Sequence, residues 1–274
     1  MTSHDVVATA RRALREKRIG HAGTLDPFAT GLLVLLVGRA TRLLPYLDGD
    51  PKRYRAVIRF GAETDTADLL GAVTATGPVP DPGAVAAAVP ALTGTLDQIP
   101  PAFSAKRVDG RRAYDLARAG VAVELKASRV RVDRWELLDW SPPDLTAEIV
   151  CGPGTYIRSL ARDLGRSVGS AAHLAALRRE QSGPFGVDAA TPLAALQEGG
   201  GVLRPPRDAL GDIPEQRLDA ADVVRIARGI AIPAAVPGER CALVNAANGA
   251  LVAYAERRDD LWQPRVVMRP AGEP

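Results

Sequence analysis

The run Gly20-His21-Ala22-Gly23-Thr24-Leu25-Asp26-Pro27 places a histidine and an aspartate among small residues, so that both can project from one short segment. The proline restricts Asp26 to extended backbone, which holds its carboxylate away from the chain. A carboxylate so placed can attack an electron-poor carbon or accept a proton. The same residues also suit an ordinary Asp-Pro turn in which the aspartate caps its own loop. On spacing alone the ordinary turn is the favoured reading, because Asp-Pro commonly starts turns and a lone aspartate is usually a cap.

The motifs that are missing narrow the chemistry. There is no glycine-rich phosphate loop, dinucleotide fingerprint, HExxH or GxSxG, and the only histidines are His4, His21 and His173. Cys151 and Cys241 lie far apart with no CxxC, which argues against a disulfide framework and a cysteine zinc site. Chemistry without a metal or a cofactor is therefore expected.

Around this segment the hydrophobic periodicity predicts a starting helix over residues 4 to 16, with Ser3 as its N-cap. After the Asp-Pro turn come an apolar segment from Leu32 to Val37, a helix from Arg39 to Leu47 and a strand from Arg53 to Phe60. Asp81-Pro82 opens a helix to about Val89, and Ile99-Pro100-Pro101 must be loop. A strand from Phe103 to Arg107, a hairpin turn at Asp109-Gly110 and a helix from Arg112 to Ala119 capped by Gly120 follow. Strands Arg129 to Leu138 and Leu145 to Cys151 then precede a helix from Tyr156 to Val168. Gly199-Gly200-Gly201 and Pro205-Pro206 mark a linker, so the domains are expected at 1–198 and 215–274 with 199–214 between them. In the smaller part, Leu218 to Gly229 reads as a helix, and Ala242 to Asn245 and Ala250 to Ala255 flank a hairpin at Asn248-Gly249.

The chain has 274 residues, 46% hydrophobic and 24% charged, which is ordinary globular composition and excludes a disordered tail. Its longest apolar run is far below the ~20 residues a membrane helix needs, and the N-terminal residues lack a secretory pattern. A cytoplasmic protein is expected. Four lysines leave 31 of the 35 basic residues as arginine, against 32 acids. The guanidinium fork and a pI near 9.1 lean toward an anionic partner.

Four stretches, GHAGTLDPFATGLLVLLVGRATR, KRYRAVIRFGAETDTAD, IPPAFSAKRVDGRRAYDLARAG and GTYIRSLARDLG, together resemble the TruB family of tRNA pseudouridine-55 synthases. They occur in family order across about residues 3 to 195. The resemblance implies a mixed α/β (α+β) catalytic domain with a small C-terminal domain like an RNA-binding appendage. It also implies isomerisation of one uridine in the T loop of tRNA, without cofactor, by a protein acting alone as a monomer.

Residue by residue, Asp26 matches the family's catalytic aspartate. Arg158 matches an arginine placed beside it, a cation that would keep a buried carboxylate charged. Tyr54 matches a tyrosine whose ring stacks on the target base and whose hydroxyl helps to remove the C5 proton, and Tyr156 a tyrosine that lines the substrate. His21 matches a histidine that fills the gap left when the uridine flips out. Leu177 matches an apolar pocket residue and Asp68 a second acidic position, in contact with RNA or with the arginine network. Tyr54 alternating with Arg53 and Arg55 also reads as an RNA-facing strand. Basic groups at Arg11 to Arg18, Lys52 to Arg59, Lys106 to Arg112 and Arg178-Arg179 are expected to line one tRNA-binding face.

Family members carry a strand ending in Lys-Pro before the segment matching Met1-Thr2-Ser3-His4, and this sequence starts after it. An internal start site or a sheet edge lacking that strand are both open readings. The alternative to the isomerase is therefore a catalytically weak tRNA-binding or tRNA-folding module, against which Asp26, Tyr54 and Arg158 argue. A glycoside or nucleoside hydrolase is disfavoured because no second carboxylate is placed across the bond.

Overall fold

The structure is a computed structural model that describes residues 1–47, 49–104, 107–108, 111–112 and 125–268. In chain order it contains α1 (Ser3–Ala13), β1 (Ile19–Ala22), β2 (Thr30–Gly31), β3 (Val34–Val37), β4 (Lys52–Phe60), β5 (Ala62–Thr64), β6 (Val73–Thr76), α2 (Pro82–Ala88) and β7 (Gly94–Gln98). Next come β8 (Arg107–Val108), β9 (Arg111–Arg112), β10 (Ser128–Ser141), β11 (Asp144–Cys151), α3 (Ile157–Ser167), β12 (Ala172–Ser182), β13 (Phe185–Gly186) and α4 (Leu193–Gln197). The chain continues through β14 (Glu215–Leu218), α5 (Ala220–Ala227), β15 (Ile232–Pro233), β16 (Arg240–Asn245), β17 (Leu251–Arg258) and β18 (Leu261–Val267). Among the described residues no helix is long and apolar enough to cross a membrane.

The mixed α/β class expected from the sequence is what forms. The principal sheet runs β13-β12-β4-β11-β10-β7, antiparallel throughout, with β2 added to β12 in parallel. Strand β4 lies near its centre because its alternation gives it one fully apolar face: Tyr54, Ala56, Ile58 and Phe60 are buried. That face packs beneath Ile157, Leu160, Ala161 and Leu164 of α3 and Val85 of α2. Gly165 lets the end of α3 reach β12, since a Cβ there would lie 2.6 Å from the Ala172 amide nitrogen.

The second sheet, β14-β16-β17-β18-β15, pairs β14 with β16 in parallel and is otherwise antiparallel. The hairpin predicted at Asn248-Gly249 joins β16 to β17. One face buries Trp262, Leu243 and Ile226 of α5. The other places Ala242, Val244 and Tyr254 against Leu36, Leu43 and Tyr46, with the Tyr46 and Tyr254 rings 4.5 Å apart.

Several local expectations are corrected. Thr2, not Ser3, caps α1: its hydroxyl accepts from the Asp5 amide, and Asp5 accepts from the Thr2 amide at 2.7 Å. Residues 38 to 46 form a 3-10 rather than an α-helix, in keeping with Pro45, which lacks an N–H and obstructs α-helical packing behind it. Phe103 and Ser104 form a bend instead of a strand, and Arg112 belongs to β9 instead of a helix. Tyr156 is the N-cap of α3, not its first residue, and Leu218 closes β14, so that α5 starts after Asp219. The turn placed at Asp109-Gly110 and the helix placed over 113–119 lie outside the described residues.

Strand β12 runs against its own composition. Its sequence, AHLAALRREQS, is rich in helix formers, but pairing with β4 along its whole length decides the conformation.

Candidate active site

Asp26 sits at the start of a turn closed by the Ala29 amide donating to the Asp26 carbonyl, so Pro27 fixes the direction in which the carboxylate leaves the chain. The segment before it is not one loop, as its composition suggests. His21 lies on β1, opposite Leu35 of β3, and Asp26 lies on the loop that follows. Ser3 ties this loop to α1: its hydroxyl accepts from the Leu25 amide at 2.9 Å and donates to the Leu25 carbonyl at 3.3 Å.

Arg158, in the first turn of α3, meets Asp26 with two parallel hydrogen bonds. Its Nε donates to Oδ2 at 3.0 Å and its Nη2 to Oδ1 at 2.8 Å. The arginine side chain is only 5% exposed, whereas the aspartate's is 29% exposed. The guanidinium is thus buried structure and the carboxylate is the end that faces out. Arg158 also donates to the backbone carbonyls of Thr66 at 2.8 Å and Phe103 at 2.9 Å. With hydrogen bonds to three segments, its plane is fixed.

Asp68 completes this arrangement from the far side, 3.7 Å from Arg158 Nη1. Its other oxygen accepts from the Thr66 hydroxyl at 2.7 Å and the Leu70 amide at 3.0 Å. The carboxylate is buried within its own loop, so it reaches the arginine network and not the surface.

Tyr54, on the buried face of β4, stands in register between Ile149 and Arg179. Burial pushes its phenol up to about 12, an effect that the Arg179 cation offsets only in part. Leu177, two residues from Arg179 on β12, is buried beside Ala56 on the same face. Burial, then the neighbouring His4 and Arg179, holds His21 below its ordinary value, so it is a neutral ring at physiological pH. Tyr156 is half-buried, and its backbone is clasped by Gln98, whose side chain accepts from the Tyr156 amide at 2.9 Å and donates to its carbonyl at 3.1 Å.

Arg158 therefore stands between Asp26 and Asp68, while Tyr54 and Leu177 line the neighbouring sheet face. His21 flanks them on β1 and Tyr156 at the start of α3. The alternation that reads as an RNA-facing strand instead divides two faces. Tyr54 points to the site, while Arg53 and Arg59 lie on the other face, near Glu148 and Glu180, and on Asp144 at 2.7 Å.

Arg179 departs most from expectation. Its sequence neighbours group it with surface cations, yet it is 1% exposed. Its Nε donates to the Leu32 carbonyl at 2.8 Å and its Nη2 to the Gly23 carbonyl at 3.1 Å, so one guanidinium grips both ends of the Asp26 loop. Gln98 and Arg179 escape a reading of the sequence for different reasons. A single Gln beside Ile99-Pro100-Pro101 carries no pattern, and Arg179 is recognisable only once β12 is known to be a central strand.

Solved structures superpose on this fold, a mostly antiparallel sheet that carries the aspartate loop. The chain in "Crystal Structure of a Cbf5-Nop10-Gar1 Complex" aligns with a TM-score of 0.72 at 23% identity, covering 98% of this chain and 82% of that one. The chain in "Crystal structure of the archaeal box H/ACA sRNP Nop10-Cbf5 complex" aligns at 0.72 and 22%, covering 99% and 84%.

In sequence, residues 11–157 match the TruB family pseudouridylate synthase N-terminal domain, and residues 158–201 match the tRNA pseudouridylate synthase B C-terminal domain. Proteins called tRNA pseudouridine synthase B are close relatives. That of Gloeobacter violaceus is 44% identical over 98% of this chain and 95% of its own length. That of Symbiobacterium thermophilum is 47% identical over 84% and 79%, and that of Thermobifida fusca 44% identical over 97% and 94%. The chain belongs to the TruB family of pseudouridylate synthases, enzymes that are isomerases.

Proposed function

We propose that this chain converts uridine-55 in the T loop of tRNA to pseudouridine, with Asp26 as the catalytic carboxylate. The observation that carries the reading is the pairing of a part-exposed Asp26 with a buried Arg158 that Thr66 and Phe103 also hold. A carboxylate presented this way is aimed at whatever enters the site and cannot turn inward.

The reaction is an isomerisation and needs no co-substrate. The N1–C1′ bond of the uridine breaks, C1′ joins C5 of the same base, the C5 proton is lost and N1 takes one up. Asp26 acts first, as a nucleophile at the sugar or the base or by taking a sugar proton; the pairing with Arg158 suits all three. Tyr54 forms the apolar plate on which the base rests. A phenol held near 12 is protonated at neutral pH, so its hydroxyl serves as a donor. Leu177 closes the apolar side and Tyr156 the helix side of the pocket. His21, a neutral ring, fits among the bases displaced when the uridine flips out. Asp68 acts through Arg158 and so is a positioning residue.

The test is pseudouridine formation followed by tritium release from C5-labelled, unmodified tRNA. Asp26→Asn preserves shape and removes ionisation, so turnover should vanish while tRNA binding stays within a few-fold. Wild-type turnover on a tRNA whose uridine-55 is replaced would overturn the site assignment. Full turnover by Asp26→Asn would overturn the role of the carboxylate.

A further inference from the structure

Many arginines of the principal sheet are neutralised: Arg53, Arg59, Arg129, Arg131 and Arg134 each lie within 4.0 Å of a carboxylate. One part of the surface differs. At the end of α1 and in the turn after it, Arg11, Arg12, Arg15 and Lys17 are exposed around a shallow groove, and exposed Arg18 follows it in the chain. The side chains of Arg11 and Arg12 turn to uncharged oxygens: Arg11 donates to the Ile19 carbonyl at 3.0 Å and Arg12 to the Thr9 hydroxyl at 3.3 Å. Glu16, the acid within this group, is turned back to accept from the Arg18 amide at 2.7 Å. The pairing of β1 with β3, extended by the Gly38 amide donating to the Arg18 carbonyl at 2.7 Å, brings exposed Arg39 beside them.

Six like charges gathered with no ion pair among the described residues repel one another, and an anion relieves that cost. The face is joined to the candidate site by β1. At ~3.3 Å per residue, Arg18 lies about 10 Å along the strand from His21. That distance is short enough for successive phosphates of a stem to reach these cations while its loop enters the pocket. A row of cations at this range from a base-accepting pocket fits a regular polyanion better than a small ligand.

We propose that Arg11, Arg12, Arg15, Lys17, Arg18 and Arg39 form a docking face for the phosphate backbone of the base-paired stem adjoining the loop whose uridine enters at Asp26. This rests on the RNA-modifying reading above and adds how the stem is held. The contacts are sequence-independent and set affinity and register, leaving the chemistry to the pocket.

The experiment uses the full chain and the triple variant R12Q/R15Q/K17Q. Binding of an unmodified tRNA transcript is measured by filter retention across a salt series, and tritium release is followed on that tRNA and on an oligonucleotide containing the loop with a minimal stem. With three fewer cations to neutralise phosphates, the slope of log K against log salt should shrink by about 2 to 3. KM for tRNA should rise about tenfold or more near physiological salt, with kcat unchanged and the minimal RNA unaffected. The charge-preserving variant R12K/R15K should keep the wild-type slope, which a merely structural role for these side chains would not predict. An unaltered slope in the triple variant, or equal losses on both RNAs, would overturn the docking face. If the wild-type chain forms no pseudouridine at all, the functional reading fails, while the salt slope still decides whether this face binds RNA.

Discussion

Gly31 lies against Arg179 so closely that a Cβ on it would sit 2.2 Å from the Arg179 carbonyl oxygen, and its φ of +95° is one that other residues rarely adopt. This contact seats β2 on β12. The backbone there is held by Leu32 donating to the Arg179 carbonyl at 2.8 Å, and the Arg179 side chain returns to grip Leu32 and Gly23. The position of Asp26 therefore depends on a glycine five residues away.

Gly31→Ala is accordingly expected to cost about 3 kcal/mol of stability or more, from overpacking and a strained dihedral together. The same change should reduce turnover in the fraction that remains folded, because the loop must move off Arg179. Chemical denaturation and tritium release on the same preparation check both. A variant as stable and as active as wild type would show that the loop does not depend on this contact.

The pairing of Arg158 with Asp26 makes a second expectation. Lysine keeps the charge at 158 but supplies one ammonium where the guanidinium donates to Asp26, Thr66 and Phe103 at once. Arg158→Lys should therefore retain tRNA binding and lower kcat about 100-fold, the order of loss that accompanies a misplacement of ~1 Å. A change confined to KM would mean that Arg158 contacts RNA instead of positioning the aspartate.

Much of this site is legible in the sequence because its motifs are local. Gly-Thr-Leu-Asp-Pro reads as a turn and Gly-Thr-Tyr-Ile-Arg as a helix start, the family resemblance singles out Asp26 and Arg158 within them, and the structure brings the two together. What escapes is whatever depends on partners distant in the chain. Strand β12 carries helix-forming residues and becomes a strand through β4. Arg179 looks like one of many surface arginines until that pairing buries it. Ser3 has the composition of a helix cap, but Thr2 takes that place and frees Ser3 for Leu25. The alternation of Tyr54 with arginines is visible, yet only the sheet shows that it separates a site face from an ion-paired face.

The Ser3 contact makes its own prediction. Its hydroxyl both accepts from and donates to the Leu25 backbone in a part-buried setting, so Ser3→Ala leaves an amide and a carbonyl without that partner. A loss of about 1 kcal/mol is expected. Since Leu25 adjoins Asp26, kcat should fall several-fold while KM holds. Thermal denaturation with steady-state kinetics checks this, and Ser3→Thr, which keeps the hydroxyl, should recover much of the loss. An Ala variant less stable but fully active would make Ser3 a strut for the fold alone.

Tyr54 gives a prediction in pH. Its phenol is held up to about 12, mainly by burial, so it is protonated throughout pH 6 to 10 and its charge state does not change there. If the hydroxyl donates to the base, kcat should show no rise attributable to Tyr54 ionisation across that range. Tyr54→Phe keeps the apolar plate and removes the donor. Its kcat should fall by roughly tenfold, the loss of about one hydrogen bond, with a pH profile parallel to that of the wild type. The opposite assignment, a phenolate that removes the C5 proton, predicts a wild-type kcat that climbs with pH through this range. It also predicts a Phe variant in which that climb is gone. Parallel profiles support the donor, and a climb present only with the hydroxyl makes Tyr54 the base.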